Sequence, residues 1–302
     1  MGAELFDARP DLLGSMANEI LGFDLRGICL NGPEDLLTRT EHAQPALFAL
    51  SFALWDQLYK ALPGHPSSTA GHSLGEYTAL VSAGALDYPT ALRVVGERGR
   101  AMGEASDLEG SGMAALVGAD PDSASQVCDA NRAAGGRLTV ANDNAPGQVV
   151  VAGALSDIEW LESNAREHGV RRAIPLKVAG AFHSQFMEPA AERVADALQG
   201  VVAVEPRWPV YSNVTAEPVK GYEIPHLLSQ QVTSRVRFRE TLINMSSAGT
   251  RAFVHCGPGD VTAGMAKRTV QTAEVIILND LSGIPDAVER LSMIPGSEGG
   301  LA

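Results

Sequence analysis

Apolar residues between Ala43 and Leu62 recur at helical spacing, with Leu47, Leu50, Leu54 and Leu58 on one face. Pro63-Gly64 then stops the run, so the pattern predicts a helix over this stretch. Ser67-Ser68-Thr69-Ala70 reads as a short strand leading into Gly71-His72-Ser73-Leu74-Gly75, and Tyr77 to Ala85 is rich in Ala and Leu. The predicted order is strand, sharp turn, helix.

From Gly112 to Lys177 the texture changes. Apolar runs at Met113 to Val117, Leu138 to Ala141, Val149 to Ala152 and Ala173 to Leu176 predict four strands, and helical stretches near 122–133 and 157–168 fall between them. The order βαββαβ resembles a small ferredoxin-like unit. Segments on both sides look like elements of a different, larger sheet, so residues 112–177 are expected to form an insertion in a domain made of 1–111 and 178–302. Pro209 to Tyr211, Ala252 to His255 and Val275 to Leu278 predict further strands of that domain, each followed by helical sequence. The Gly-rich tail Pro295 to Ala302 is expected to fray.

Composition changes this picture only by exclusion. At 302 residues, 45% hydrophobic and 20% charged, the chain reads as globular. Its net charge of −13 opposes phosphate backbones and anionic lipid, so nucleic acid and membrane partners are not expected. Cys29, Cys128 and Cys256 are isolated, without a CxxC pair, which suggests neither a disulfide framework nor a zinc site. A reducing cytoplasm is the expected location, because the chain carries no secretory leader pattern and no apolar run of membrane-span length.

The chemistry starts at Gly71-His72-Ser73-Leu74-Gly75, which fits G-x-S-x-G. Glycines let the backbone turn sharply enough to project the serine hydroxyl from a strand tip. The next helix adds free N–H groups where an oxyanion would form, with Leu74 N–H as the natural donor. By itself the pentapeptide also fits an ordinary strand-helix turn. A serine needs a base, and histidine has the ordinary pKa for it. His72 would point away from Ser73 and reads as packing. His42, His168 and His226 read as solvated, and His65 as a loop residue. Two contenders remain: His255, at a strand end before Cys256-Gly257-Pro258-Gly259, and His183 in Gly180-Ala181-Phe182-His183-Ser184, which has a modest lead.

The motifs taken together change the odds. Gly71 to Tyr77, Glu97-Arg98-Gly99, Gly180 to Ser184 and Gly257-Pro258-Gly259 occur in order, together with Gln44-Pro45-Ala46-Leu47 and Asn142 to Val150. With them the chain resembles the malonyl-CoA:acyl carrier protein transacylase family over nearly its whole length. That resemblance implies a large α/β hydrolase-like domain with a parallel-sheet core and a ferredoxin-like insertion. It implies malonyl-CoA and an acyl carrier protein as partners, in fatty acid or polyketide synthesis, with no cofactor beyond the coenzyme A thioester substrate; a monomer is expected.

Carried over by motif, Ser73 is the acylated nucleophile, His183 its base, and Gln231 the residue whose backbone carbonyl orients His183. Gln230 lies next to it. Arg98 matches the arginine that grips the malonyl carboxylate through a two-pronged contact, although as a bare sequence feature it reads as a solvated helix residue like Arg100. Met102 and Phe182 match residues lining the acyl pocket. Arg171, Arg172, Lys177, Arg235, Arg237, Arg239, Lys267 and Arg268 are candidates for a local basic surface toward an acidic carrier protein.

One departure stands out. The family begins with a buried strand and a Pro-Gly-Gln-Gly turn whose Gln N–H is the second oxyanion donor, whereas Met1 to Phe6 resembles the segment after that turn. Met1 is therefore expected to be an internal methionine of a longer reading frame, and the chain as written is expected to be weakly active. The competing functions are an acyl hydrolase with the same site, and an inactive docking protein with the same fold.

Overall fold

The computed structural model describes residues 2–294; Met1 and the tail Pro295 to Ala302 lie outside the described residues. Five short helices come first, α1 (Ala3–Ala8), α2 (Pro10–Leu13), α3 (Ser15–Leu21), α4 (Leu25–Asn31) and α5 (Glu34–Leu37). The long α6 (Thr40–Ala61) follows, then β1 (Thr69–Ala70), α7 (Gly75–Ser82) and α8 (Tyr88–Leu108). Leu50, Leu54 and Leu58 of α6 are buried as the spacing predicts, but Leu47 is 37% exposed and faces a cavity described below.

Residues 111–175 build a separate sheet from β2 (Ser111–Val117), β3 (Thr139–Ala145), β4 (Gln148–Ala154) and β5 (Arg172–Pro175), with α9 (Pro121–Ala133) and α10 (Leu155–Asn164) between them. The strand order is β3-β4-β2-β5, antiparallel throughout. Successive residues of a strand point to opposite faces, and the two faces do different work. Ala114, Leu116, Val149 and Val151 pack with Val127 of α9 and Leu161 of α10 in a core of the unit's own. Met113, Val150 and Ala152 point the other way, against Ala181, Phe182 and Phe186. This sheet therefore backs the loop that carries His183.

The larger body resumes with α11 (Glu188–Leu198), β6 (Val210–Tyr211), α12 (Ile224–Gln231), α13 (Phe238–Ser247), β7 (Ala252–Cys256), α14 (Val261–Thr269), β8 (Glu274–Leu278) and α15 (Ile284–Ser292). The fold is mixed α/β, but its parallel sheet is split. β1 pairs in parallel with β6, and β7 in parallel with β8, as two two-stranded sheets rather than one continuous core sheet. Between them lies a cavity of about 480 Å³, lined by Thr69 and Ala70 of β1, Phe253 and Val254 of β7, and Leu47 and Trp55 of α6. With no described strand bridging that space, β1 and most of β7 are only half-buried. Helices α6 and α8 and the apolar faces of α7, α11 and α12 form the main core.

Candidate active site

The turn after β1 is built around Gly71. A Cβ there would lie 1.9 Å from the carbonyl carbon of Gly75, so only glycine lets the chain fold back so tightly. Ser73 sits at the apex with φ of 49°, and His183 has φ of 58°. Side chains other than glycine rarely adopt positive φ, and strain of this kind persists where the surrounding structure holds it in place. Here it falls on both members of a hydrogen-bonded pair: Ser73 Oγ is 2.8 Å from His183 Nε2.

The direction of that bond follows from the other side of the ring. His183 Nδ1 is 2.9 Å from the backbone oxygen of Gln231, which can only accept, so Nδ1 carries the proton and Nε2 is free to accept from Ser73. Gln231 ends α12, and its neighbour Gln230 does not share this role. Burial, then the nearby Arg98 charge, pushes the His183 pKa down to about 3, so the ring is neutral at ordinary pH.

Arg98 is not a solvated helix residue. It lies inside α8 at 1% exposure, where it donates to Ser73 Oγ at 2.9 Å, to Gln231 Oε1 at 3.1 Å and to Gln44 Oε1. Its Nε has no partner, and no salt bridge to it occurs among the described residues. Arg100, two residues on, pairs with Glu97 at the surface instead. Met102 is buried one step from Arg98, its sulfur accepting from Gln44 Nε2 at 3.5 Å. Phe182 packs between the main core and the face of the inserted sheet. Leu74 caps α7, and its N–H has no acceptor among the described residues.

The rival histidine goes elsewhere. His255 Nδ1 bonds to the Thr262 hydroxyl, and the residue lines the cavity behind the elbow, whose lining includes His72 and Leu74 but not Ser73, His183 or Arg98. His72 bonds Asn144 Oδ1 at 2.7 Å and meets the Phe238 ring edge-on, away from Ser73. His42 is packed edge-on against Phe23 with a side chain 13% exposed, and is not solvated as expected. Among the candidate basic residues, Arg237 pairs with Glu240 and Arg239 with the buried Asp143. Those two are spent within the fold. Lys177, Arg171, Arg172, Lys267 and Arg268 remain exposed.

Three residues without a role in the sequence reading belong to the site. Gln44 holds Arg98. Asn213, just after β6, accepts from Ser73 N–H at 2.6 Å and donates to the Gly71 carbonyl at 2.7 Å, bracing the elbow from below. Glu76, in the first turn of α7, accepts from Gln231 Nε2 at 2.6 Å. Their signals were polar side chains at a helix interior, at a strand end and directly after the elbow, none of which is distinctive by itself.

No helix among the described residues is long and apolar enough to cross a membrane. Residues 1–289 match the family described as acyl transferase domain. The chain is 37% identical over 294 residues to the malonyl CoA-acyl carrier protein transacylase of Bacillus subtilis, covering 96% of this chain and 92% of that protein. It is 36% identical over 275 residues to the protein of the same name from Escherichia coli K12, covering 90% and 88%. Among solved structures, an acyl carrier protein S-malonyltransferase from Vibrio cholerae superposes with a TM-score of 0.87 at 35% identity, covering 94% of this chain and 93% of that one. A malonyl-transacylase in complex with a type II polyketide synthase acyl-carrier protein superposes with a TM-score of 0.89 at 36% identity, covering 95% and 93%. A strained serine hydrogen-bonded to a neutral histidine, on a chain matched over residues 1–289, places the protein in the acyl transferase domain family.

Proposed function

We propose that this protein moves a malonyl group from malonyl-CoA to the phosphopantetheine thiol of an acyl carrier protein through an acyl-serine at Ser73. The observation that carries the reading is Arg98. A guanidinium at 1% exposure, without a carboxylate partner and aimed at the Ser73 hydroxyl, is costly to hold unless an anion joins it. A free carboxylate on the acyl group is such an anion, and the fork of a guanidinium meets both its oxygens. The names of the relatives supply the acyl donor and the carrier.

In this reading Ser73 Oγ attacks the thioester carbonyl carbon while His183 Nε2 takes its proton. The oxyanion forms beside Leu74 N–H. As the tetrahedral intermediate collapses, the C–S bond breaks and His183 returns its proton to the coenzyme A thiolate. The carrier thiol then gives its proton to His183 and attacks the acyl-serine, and the departing Ser73 oxygen recovers that proton. The Gln231 carbonyl keeps the ring in one tautomer throughout, and Met102 and Phe182 line the acyl pocket. No metal or redox group takes part, and the cytoplasm is the proposed setting.

The test is mass spectrometry of the protein after mixing with malonyl-CoA, with and without carrier protein. The expected result is a malonyl adduct on Ser73 that passes to the carrier thiol. Free malonate with an unmodified carrier would replace transfer by hydrolysis. An unmodified Ser73 in a folded protein would leave only the docking role.

A further inference from the structure

The most buried acid beside the site is one the proposed reaction does not use. Glu76 is 1% exposed, and no Lys, Arg or His side chain forms an ion pair with it among the described residues. A buried carboxylate in such a place costs stability relative to an apolar residue of similar volume, so its partners say what it provides. They include Gln231 Nε2 at 2.6 Å and Asn213 N–H at 3.1 Å, with the Ser212 side chain beside them and all three residues at 0% exposure.

These two residues hold the reacting pair. Gln231 presents its backbone oxygen to His183 Nδ1, and its Nε2 also donates to the Ser73 carbonyl at 3.0 Å. Asn213 binds the Ser73 N–H and the Gly71 carbonyl. The orientation of the Gln231 amide is dictated by its surroundings. Arg98 can only donate and Glu76 and the Ser73 carbonyl accept, so the amide oxygen must face Arg98 and the nitrogen must face Glu76. Three elements, α7, α12 and the segment after β6, meet at one carboxylate oxygen.

We propose that Glu76 is the positioning residue of this site: as a hydrogen-bond acceptor it fixes Gln231 and Asn213, and through them the alignment of His183 with the strained Ser73. The inference rests on the acyl-transfer reading for its kinetic consequence but not for its structural one. Burial pushes the Glu76 pKa up to about 7, with the hydrogen bonds from Gln231, the Asn213 N–H and the Ser212 side chain, then Arg98, opposing. An acid poised there is partly protonated at neutral pH, and its carbonyl oxygen still accepts in that form. The acceptor, not the charge, is the working part.

Ser73 acylation is measured with malonyl-CoA and acetyl-CoA in wild type, Glu76→Leu, Glu76→Gln and Glu76→Asp, and the His183 Nδ1–H resonance is followed in ¹⁵N-histidine-labelled protein without substrate. Glu76→Leu should lower the maximal acylation rate about 10²-fold for both donors alike, since the base serves either acyl group, while leaving KM nearly unchanged. Its Nδ1–H resonance should shift or broaden. Glu76→Gln keeps an acceptor and should recover to within about 10-fold of wild type. Glu76→Asp withdraws the acceptor by one methylene and should lose about 10-fold, which keeps the test alive if Glu76→Leu does not fold. Wild-type rates in both Glu76→Leu and Glu76→Asp, an unchanged Nδ1–H resonance in a slowed variant, or Glu76→Gln as damaged as Glu76→Leu would each overturn the proposal. If wild type itself fails to acylate, the acyl-transfer reading falls, while the resonance still decides the role of Glu76.

Discussion

Ser73 and His183 owe their properties to neutral neighbours as much as to charged ones. A backbone carbonyl behind His183 fixes the tautomer as a carboxylate would, but burial, then the Arg98 charge, lowers the His183 pKa by more than that carbonyl raises it. The lowered pKa has a sign that can be read. A base held at about 3 is deprotonated well below the ordinary histidine value, so the Ser73 acylation rate should stay level as pH falls from 7 to 5 instead of halving near 6.5. Rapid-quench acylation across that range measures it, and a limb at 6.5 would mean that the ring is far more solvated than the structure shows. Arg98 gives a second outcome at the same scale. Arg98→Ala should lower malonyl acylation by about 10²-fold or more, because the carboxylate would enter a buried site unpaired. Acetyl carries no carboxylate, so its rate should be unchanged or higher. Arg98→Lys should fall between, since one point charge replaces a fork. Equal losses with both donors would make Arg98 structural and remove the main physical support for a malonyl substrate.

At the scale of elements, the elbow makes unequal demands on its two glycines. An added Cβ at Gly71 collides with the Gly75 backbone, whereas one at Gly75 meets nothing within 4 Å. Gly71→Ala should therefore lower unfolding free energy by about 3 kcal/mol and abolish Ser73 acylation, while Gly75→Ala stays within about 1 kcal/mol of wild type, both read from denaturant unfolding and mass spectrometry. The elbow was legible because this backbone constraint is written in residue type. So were the four strands of the inserted sheet, where Met113 to Val117 and Val149 to Ala152 are apolar on both faces. The split of the larger sheet was not legible: β1 and β6 are two residues each, and pairing depends on what lies across the cavity rather than on local sequence. Helices α1 to α5 escaped as well, because turns at Gly22 (φ 79°) and Gly32 (φ 67°) cut them shorter than a periodic pattern can reveal. Glu76, Gln44 and Asn213 look like surface residues in a sequence. Only tertiary packing shows that each is buried with a partner.

At the scale of the molecule, the inserted sheet is joined to the larger body beside the elbow. Asp143 N–H donates to the Val236 carbonyl and Val236 N–H to the Ala141 carbonyl, both at 2.9 Å, so one edge of β3 is stitched to the segment between α12 and α13. His72 reaches across to Asn144, and Arg239 to Asp143 at 2.9 Å. The Asp143 side chain is 4% exposed, and burial pushes its pKa up even though Arg239 pulls it down. Removing Arg239 strands a buried carboxylate. Because Arg239 is itself 30% exposed, water can enter in its place, and Arg239→Ala should cost roughly 1–3 kcal/mol, less than a fully buried pair. The cost must depend on pH. A carboxylate whose folded pKa lies above its unfolded value favours folding below the unfolded value and loses that contribution as pH rises through the folded one. Arg239→Ala raises the folded value further, so its destabilisation should be largest at pH 7 and shrink as pH falls, vanishing only below the unfolded aspartate value of about 3.9, where the acid is protonated in both states. Urea unfolding of both proteins at a series of pH values measures the difference. A destabilisation that stayed constant with pH would assign Arg239 to packing alone and detach the charge pair from the joint between sheet and elbow.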